Sequence, residues 1–193
     1  CRLHWRPGRT RRLHTIVAQE DRAEPGSTGL YQHAEGRGDI KPGDCLIEAT
    51  SGNTGIALAM AAAIKGYRMI LIMPDNMSAE RIASMKAYGA EIVMIDDDGE
   101  SKLATADRDA MAEEIAKNTP LAYWTKQHDN MANSAAYVNT LAAELLEVAH
   151  KNIDILIGAV GTGGSLCGTS RRLKSELPAI KVIGVEPEGS IIF

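Results

Sequence analysis

Two short stretches of this 193-residue chain set glycine among hydroxyl and carboxamide side chains closely enough to grip an anion. The first is Thr50-Ser51-Gly52-Asn53-Thr54-Gly55, entered from the apolar run Cys45–Ile47 and left through an Ala-rich segment that Gly66 stops. That order reads as strand, polar loop and helix. The positive end of the helix and the N–H groups of its first turn favour a small anion at the loop. An ordinary helix start needs a single Ser, Thr or Asn as its cap; here three hydroxyls and one carboxamide stand between and beside two glycines. The second stretch, Gly161-Thr162-Gly163-Gly164-Ser165, follows another apolar run and opens another helix. Its successive N–H groups and the hydroxyls of Thr162 and Ser165 suit a phosphate. Gly-rich strand-to-helix turns are common, however, and some only allow close packing. A P-loop is excluded because no Gly-Lys-Ser/Thr follows. A dinucleotide loop would want glycine where Leu166 stands, although Glu186 sits where a ribose-binding acid would, which leaves a nicotinamide-dependent reductase as a minor alternative.

Elements of the right kind flank both stretches. Pro42-Gly43-Asp44 signals a turn before the first strand. Met69–Met73, closed by Pro74, reads as a buried parallel strand. A helix is expected over Ala79–Tyr88, with Ser78 as N-cap, Ile82 and Met85 on one face and Gly89 as its stop. A strand Glu91–Ile95 then ends in the acidic turn Asp96-Asp97-Asp98-Gly99. This turn lacks the spaced ligands and distal Glu of a calcium loop, so a solvated turn and no metal are expected. There follow a helix Lys102–Lys117, a strand Leu121–Thr125, and one long helix from Ser134 to His150 carrying Val138, Leu141, Leu145 and Val148 along one face. A strand Ile153–Val160, a helix to about Leu177 and a strand Lys181–Glu186 complete the pattern. Alternating strands and helices imply an α/β fold with a parallel sheet wrapped by helices. In such sheets ligands lie at the carboxyl ends of strands, where both polar loops fall, and the two loops are expected to face one cleft.

Composition bounds the remaining possibilities. Hydrophobic content of 45% and charged content of 24% are those of a soluble globular protein. A net charge of -4 argues against nucleic acid as a partner, and no apolar run reaches the roughly 20 residues of a membrane span. Cys1, Cys45 and Cys167 are scattered singly, which fits a reducing cytoplasm; Cys45 and Cys167 are expected to be buried as small packing residues. Residues 1–39 stand apart. They open with five arginines before any acid, hold no lysine and show little periodicity, so the segment is read as anomalous, as after a frame error, in preference to a transit peptide or a basic nucleic-acid arm.

At Thr50–Gly55 the chain resembles the cysteine synthase family (O-acetylserine sulfhydrylases), pyridoxal phosphate enzymes of the fold type shared with tryptophan synthase β chains. Residues 40–93 are most similar to the bacterial B-type enzyme, and a looser resemblance runs to about Ser190. The resemblance implies a tryptophan synthase β-like fold, a parallel three-layer sandwich present in part. It implies residues 40–145 as a small mobile domain and 146–193 as the start of a larger cofactor domain, with the first forty residues outside the match. It further implies that Gly161, Thr162, Gly163, Gly164 and Ser165 hold the phosphate of pyridoxal 5'-phosphate, with Ser165 in place of the usual Thr, and that Asn53 bonds the ring hydroxyl. Thr50, Ser51 and Thr54 would hold the amino-acid carboxylate. Gln127 would also reach it, although Gln127-His128-Asp129-Asn130 departs from the family's Gln-Phe-x-Asn-Pro; His128 is expected to face solvent.

The implied reaction is a β-replacement on O-acetyl-L-serine, in which acetate leaves and sulfide takes its place to form L-cysteine, in a cytoplasmic homodimer. The cofactor's pyridine ring is the electron sink, and a lysine both holds the cofactor and removes the Cα proton. No lysine here matches that position. Lys41, the first in the chain, lies in a turn, Lys65 ends a helix, and Lys126 matches no family position. The catalytic base is therefore unassigned, and this polypeptide is expected to bind the cofactor weakly without turnover. Enzymes of the same fold forming cystathionine or diaminopropionate, and a relic that binds a partner without catalysis, are the competing readings.

Overall fold

Apolar runs separated by helical segments pair side by side in parallel, since the intervening helix carries the chain back to the same edge of the sheet. The computed structural model describes residues 39–50, 52–96 and 104–188, and these form two compact units, 39–132 and 133–188. Ser51, the anomalous segment up to residue 38 and most of the acidic turn after Asp96 lie outside the described residues.

The first unit runs β1 (Cys45–Ala49), α1 (Asn53–Lys65), β2 (Arg68–Pro74), α2 (Ala79–Ala87), β3 (Glu91–Ile95), α3 (Ala104–Asn118) and β4 (Ala122–Trp124). Its sheet has the order β3-β2-β1-β4 with every pair parallel, which puts β1 in the interior. Side chains alternate along the strands, and the alternation assigns the layers. Leu46, Met69, Leu71 and Met73 pack with Leu58, Ala59 and Ala62 of α1 and Met85 of α2. Cys45, Ile47, Ala49, Ile70 and Ile72 pack with Ala112 of α3. Helices therefore cover both faces, and the continuous apolar runs of β1 and β2 follow from that double burial. The expected stops and caps are present. Gly66 ends α1 in the left-handed region at φ 77°, its N–H donating to the Ala62 carbonyl. The Ser78 hydroxyl accepts from the Arg81 N–H at 3.4 Å and starts α2.

The second unit holds most of α4 (Met131–Asn139), then α5 (Leu141–Val148), β5 (Ile155–Ala159), α6 (Gly164–Glu176) and β6 (Lys181–Val185). β5 and β6 pair in parallel across α6. Leu145, Leu146, Ile153, Leu156, Leu173 and Ile180 make its core.

Two expectations are corrected here. The single helix over 134–150 is two helices, broken at Thr140, whose φ and ψ are -111° and -93°. The Thr140 hydroxyl donates to the Ala136 carbonyl at 2.8 Å, a local bond that competes with the regular ladder and bends helices. The break changes the phase of the apolar stripe, so Leu146 is buried beside Leu145 while Val148 is 75% exposed. Cys167, expected to be buried, is exposed on α6, whose buried positions are Gly164, Gly168, Thr169 and Leu173; Cys45 is buried as expected.

Three glycines are required by space. A Cβ on Gly55 would lie 2.8 Å from Met85 Cε and 2.9 Å from Thr50 Cγ2. One on Gly164 would overlap the Asn133 carboxamide, at 2.6 Å from Cγ, and one on Gly168 would overlap the Ser134 carbonyl oxygen and lie 2.9 Å from Tyr137 Cβ. The last two let α6 pack directly on α4. Gly55→Ala should destabilise the chain by about 1–3 kcal/mol, because the thioether end of Met85 yields only within a full core. Gly168→Ala should cost more, since the atom it meets is backbone. Denaturant unfolding of the two variants checks the order; a Gly168→Ala chain as stable as wild type would contradict the close crossing.

Candidate functional site

In the first unit the carboxyl ends of β1 and β4 present the polar groups. The chain leaves β1 at Thr50, whose N–H donates to the Ile72 carbonyl at 2.9 Å and whose hydroxyl accepts from the Gly52 N–H at 3.3 Å. Thr50 is buried, Asn53 is exposed and Thr54 is half-buried. Gly52, extended at φ -127° and ψ -158°, caps α1 with no side-chain bond, and the first turn of α1 has no acid. The helix start is thus open to an anion on both counts.

Gln127 is brought to the same place from β4. It is buried, its Nε2 donates to the Ala49 carbonyl at 2.9 Å, and its N–H donates to Glu48 Oε2 at 3.3 Å. Tertiary structure therefore joins Gln127 to the residue before Thr50, across 78 positions of sequence. His128 is exposed, as expected.

Glu48 is the residue that sequence reasoning passed over. It is 1% exposed, and Oε2 accepts from both the Thr125 hydroxyl and the Gln127 N–H. A second tie comes from Asn130, whose Nδ2 donates to the Thr125 carbonyl at 3.0 Å while its Oδ1 accepts the Ala132 N–H at 3.0 Å and caps α4. The clue available in the sequence was a lone acid inside the apolar run Cys-Leu-Ile-Glu-Ala. Burial pushes the Glu48 carboxyl up from the ordinary 4.5 to about 7, against the pull of the bonds from Thr125 and Gln127.

In the second unit β5 leads through Val160 into Gly161–Gly163. Gly163 takes the left-handed conformation at φ 79° as the cap of α6, again without a side-chain capping bond and without an acid in the first turn. Thr162 Oγ1 accepts from Asn133 Nδ2 at 2.9 Å and from the Gly164 N–H at 3.4 Å. Ser165 is half-buried in the first turn of α6. Backbone N–H groups, a positive helix end and an ordered hydroxyl are what a phosphate requires, so the residues present fit a phosphorylated cofactor. No group of three or more metal-ligating side chains occurs among the described residues, and no helix among them is long and apolar enough to cross a membrane.

Lys41 and Lys65 are exposed, in a turn and at the end of α1. Lys126 lies beside Gln127, but its ammonium stands 4.5 Å from the centre of the Trp124 ring, a cation–π contact.

With this geometry in hand, the relatives agree on the class of protein. Residues 14–193 match the family described as pyridoxal-phosphate dependent enzyme, and the chain belongs to that family. It is 42% identical over 199 residues to cysteine synthase B of Pseudomonas aeruginosa, a match covering 99% of this chain and 64% of that protein. It is equally 42% identical over 171 residues to cystathionine beta-synthase of Mus musculus, covering 86% of this chain and 29% of that one. The crystal structure of a hydrogen sulfide-producing enzyme from Fusobacterium nucleatum superposes with a TM-score of 0.82 at 38% identity, over 89% of this chain and 56% of that one. The chain thus spans less than two thirds of each of these proteins. The α/β fold with a parallel sheet is that of the tryptophan synthase β-like pyridoxal phosphate enzymes, and the nicotinamide alternative falls away. The family match starts at residue 14, inside the stretch that composition had set apart.

The Glu48 carboxyl keeps its proton to higher pH in the folded chain than in the unfolded one. Its stabilising contribution is therefore complete below 4.5 and is lost as pH rises through about 7. Glu48→Gln cannot titrate, so the unfolding free energy of wild type minus that of the variant should fall by on the order of 3 kcal/mol between about pH 4 and about pH 8. Denaturant unfolding of both chains across that range measures it, and a difference that stays constant with pH would show Glu48 to titrate normally.

Proposed function

We propose that this chain is the substrate-gripping and phosphate-gripping part of an enzyme that performs β-replacement on an O-activated serine, forming L-cysteine from O-acetyl-L-serine and sulfide. The observation that carries it is the Gly161–Ser165 turn, with a left-handed glycine cap, an anchored Thr162 and an acid-free helix start. Gly161, Thr162, Gly163, Gly164 and Ser165 would hold the cofactor phosphate. Asn53 would bond the ring hydroxyl, and Thr50, Ser51, Thr54 and Gln127 would orient the carboxylate of the amino acid. When bound, pyridoxal phosphate supplies the ring that accepts the electron pair released at Cα. The chain's own work is to bind, to orient and to exclude water.

Support for cysteine formation comes from the likeness to cysteine synthase B. Equal identity to cystathionine beta-synthase favours, as a second reading, a thiol such as homocysteine in place of sulfide. Assembly as a homodimer belongs to the same proposal. With no lysine assigned as base, we infer that the polypeptide binds cofactor without turning over substrate.

The test equilibrates the chain with pyridoxal phosphate, reduces it with borohydride and maps any lysine adduct. Amino-acid products are assayed in parallel with O-acetylserine and competing sulfide and homocysteine. Expected are reversible binding, no specific adduct and no product, with Asn53→Ala weakening binding by roughly tenfold. Unchanged binding in Asn53→Ala would sink the assignment of that loop, and a single trapped lysine together with turnover would overturn the missing base.

A further inference from the structure

We propose that Asn133 is a positioning residue for the 161–165 turn: its carboxamide sets the direction in which the Thr162 hydroxyl donates, and so tunes that turn for a phosphate dianion. The inference rests on reading the turn as a phosphate site, and it adds a residue from a different helix to it. A threonine hydroxyl has one proton to donate and two lone pairs to accept with. Thr162 Oγ1 accepts from Asn133 Nδ2 at 2.9 Å and from the Gly164 N–H at 3.4 Å. With both accepting directions taken, the O–H proton is turned away from Asn133 and Gly164, and the hydroxyl becomes a donor to an incoming acceptor. A phosphate oxygen is an acceptor only, so the orientation matches the ligand, and no rotor freedom is lost on binding.

The surroundings hold Asn133 to this task. It is 8% exposed on α4, and its carboxamide fills the space where Gly164 would otherwise carry a Cβ. Gly168, one helical turn on, lets the Ser134 backbone approach α6 as closely, so the donor is fixed by the packing of two helices. Any side chain at position 164 would displace the carboxamide, which gives Gly164 a reason to be glycine beyond the turn itself.

Asn133→Asp has nearly the same shape but can only accept when ionised. It would draw the Thr162 proton toward itself and turn lone pairs toward the ligand. Pyridoxine 5'-phosphate and pyridoxine serve as probes, since neither has the aldehyde that reacts with surface lysines; affinities are measured by titration calorimetry on the full chain. Wild type should prefer the phosphorylated probe. Asn133→Asp should lose on the order of tenfold or more of that affinity, and little of the affinity for pyridoxine. The added negative charge is separated out by repeating the substitution in a Thr162→Val background, where a residue that acts through Thr162 has nothing left to act on. Asn133→Ala, which removes the donor and adds no charge, should show a smaller loss with the same dependence on Thr162, and thermal unfolding of each variant confirms that it folds. Equal losses in both backgrounds, or no loss in either, would overturn the role of Asn133 while leaving the phosphate site standing. A wild-type chain that does not distinguish the two probes would overturn the phosphate reading itself, and this inference with it.

Discussion

A parallel strand can hand its chain to a helix only across the carboxyl edge of the sheet, and there the first turn of the helix has N–H groups without carbonyl partners of its own. Much of what this chain can do follows from how that deficit is left. At the start of α1 and again at the start of α6 the cap position is glycine, Gly52 and Gly163, and neither helix has an acid in its first turn. A Ser, Asp or Asn at the cap would have satisfied an N–H internally. Glycine has no side chain to do so, and the neighbouring backbone and hydroxyl act in part instead: the Gly55 N–H donates to the Gly52 carbonyl at 3.2 Å and the Gly164 N–H to Thr162 Oγ1 at 3.4 Å.

Donors at such an edge are useful only if they hold still, and each unit fixes them with a buried polar tie. In the first, Glu48 draws Thr125 and Gln127 to the end of β1. The desolvation it suffers is visible in a carboxyl raised to about 7, and the bonds it accepts offset part of that cost. In the second, Asn133 reaches Thr162 through the gap that Gly164 leaves. Both ties join residues from separate elements, so the polar loops take their shape from the packing beneath them and not from turn chemistry alone.

Geometry of this kind names a ligand class and stops there. A glycine-capped helix start accepts any small phosphate, and many unrelated activities share one fold. Pyridoxal phosphate enters through membership of the family, which residues 14–193 establish. Within that family the chain is 42% identical both to a cysteine synthase and to a cystathionine synthase.

Local chemistry was readable directly. Apolar runs at β1 and β2, the stops at Gly66 and Gly89, the cap at Ser78 and both polar loops depend on neighbours within a few residues, and they appear where the sequence places them. Residues whose meaning lies in a distant partner could not be read the same way. Glu48 finds Thr125 and Gln127 across 77 and 79 positions, and Asn133 finds Thr162 across 29. Gly168 is needed because the Ser134 carbonyl and the Tyr137 Cβ of another helix lie against it. Even the break at Thr140, made by a bond four residues long, escaped the apolar pattern, because a hydroxyl that bonds back to the helix leaves no mark in hydrophobic periodicity. Sequence alone determined most of the strands and helices and which helix starts follow glycine-rich polar loops, since backbone geometry and apolar period act over one or two turns. Tertiary structure decided which buried polar groups hold those loops in shape, because a hydrogen bond between distant residues exists only once the layers have packed.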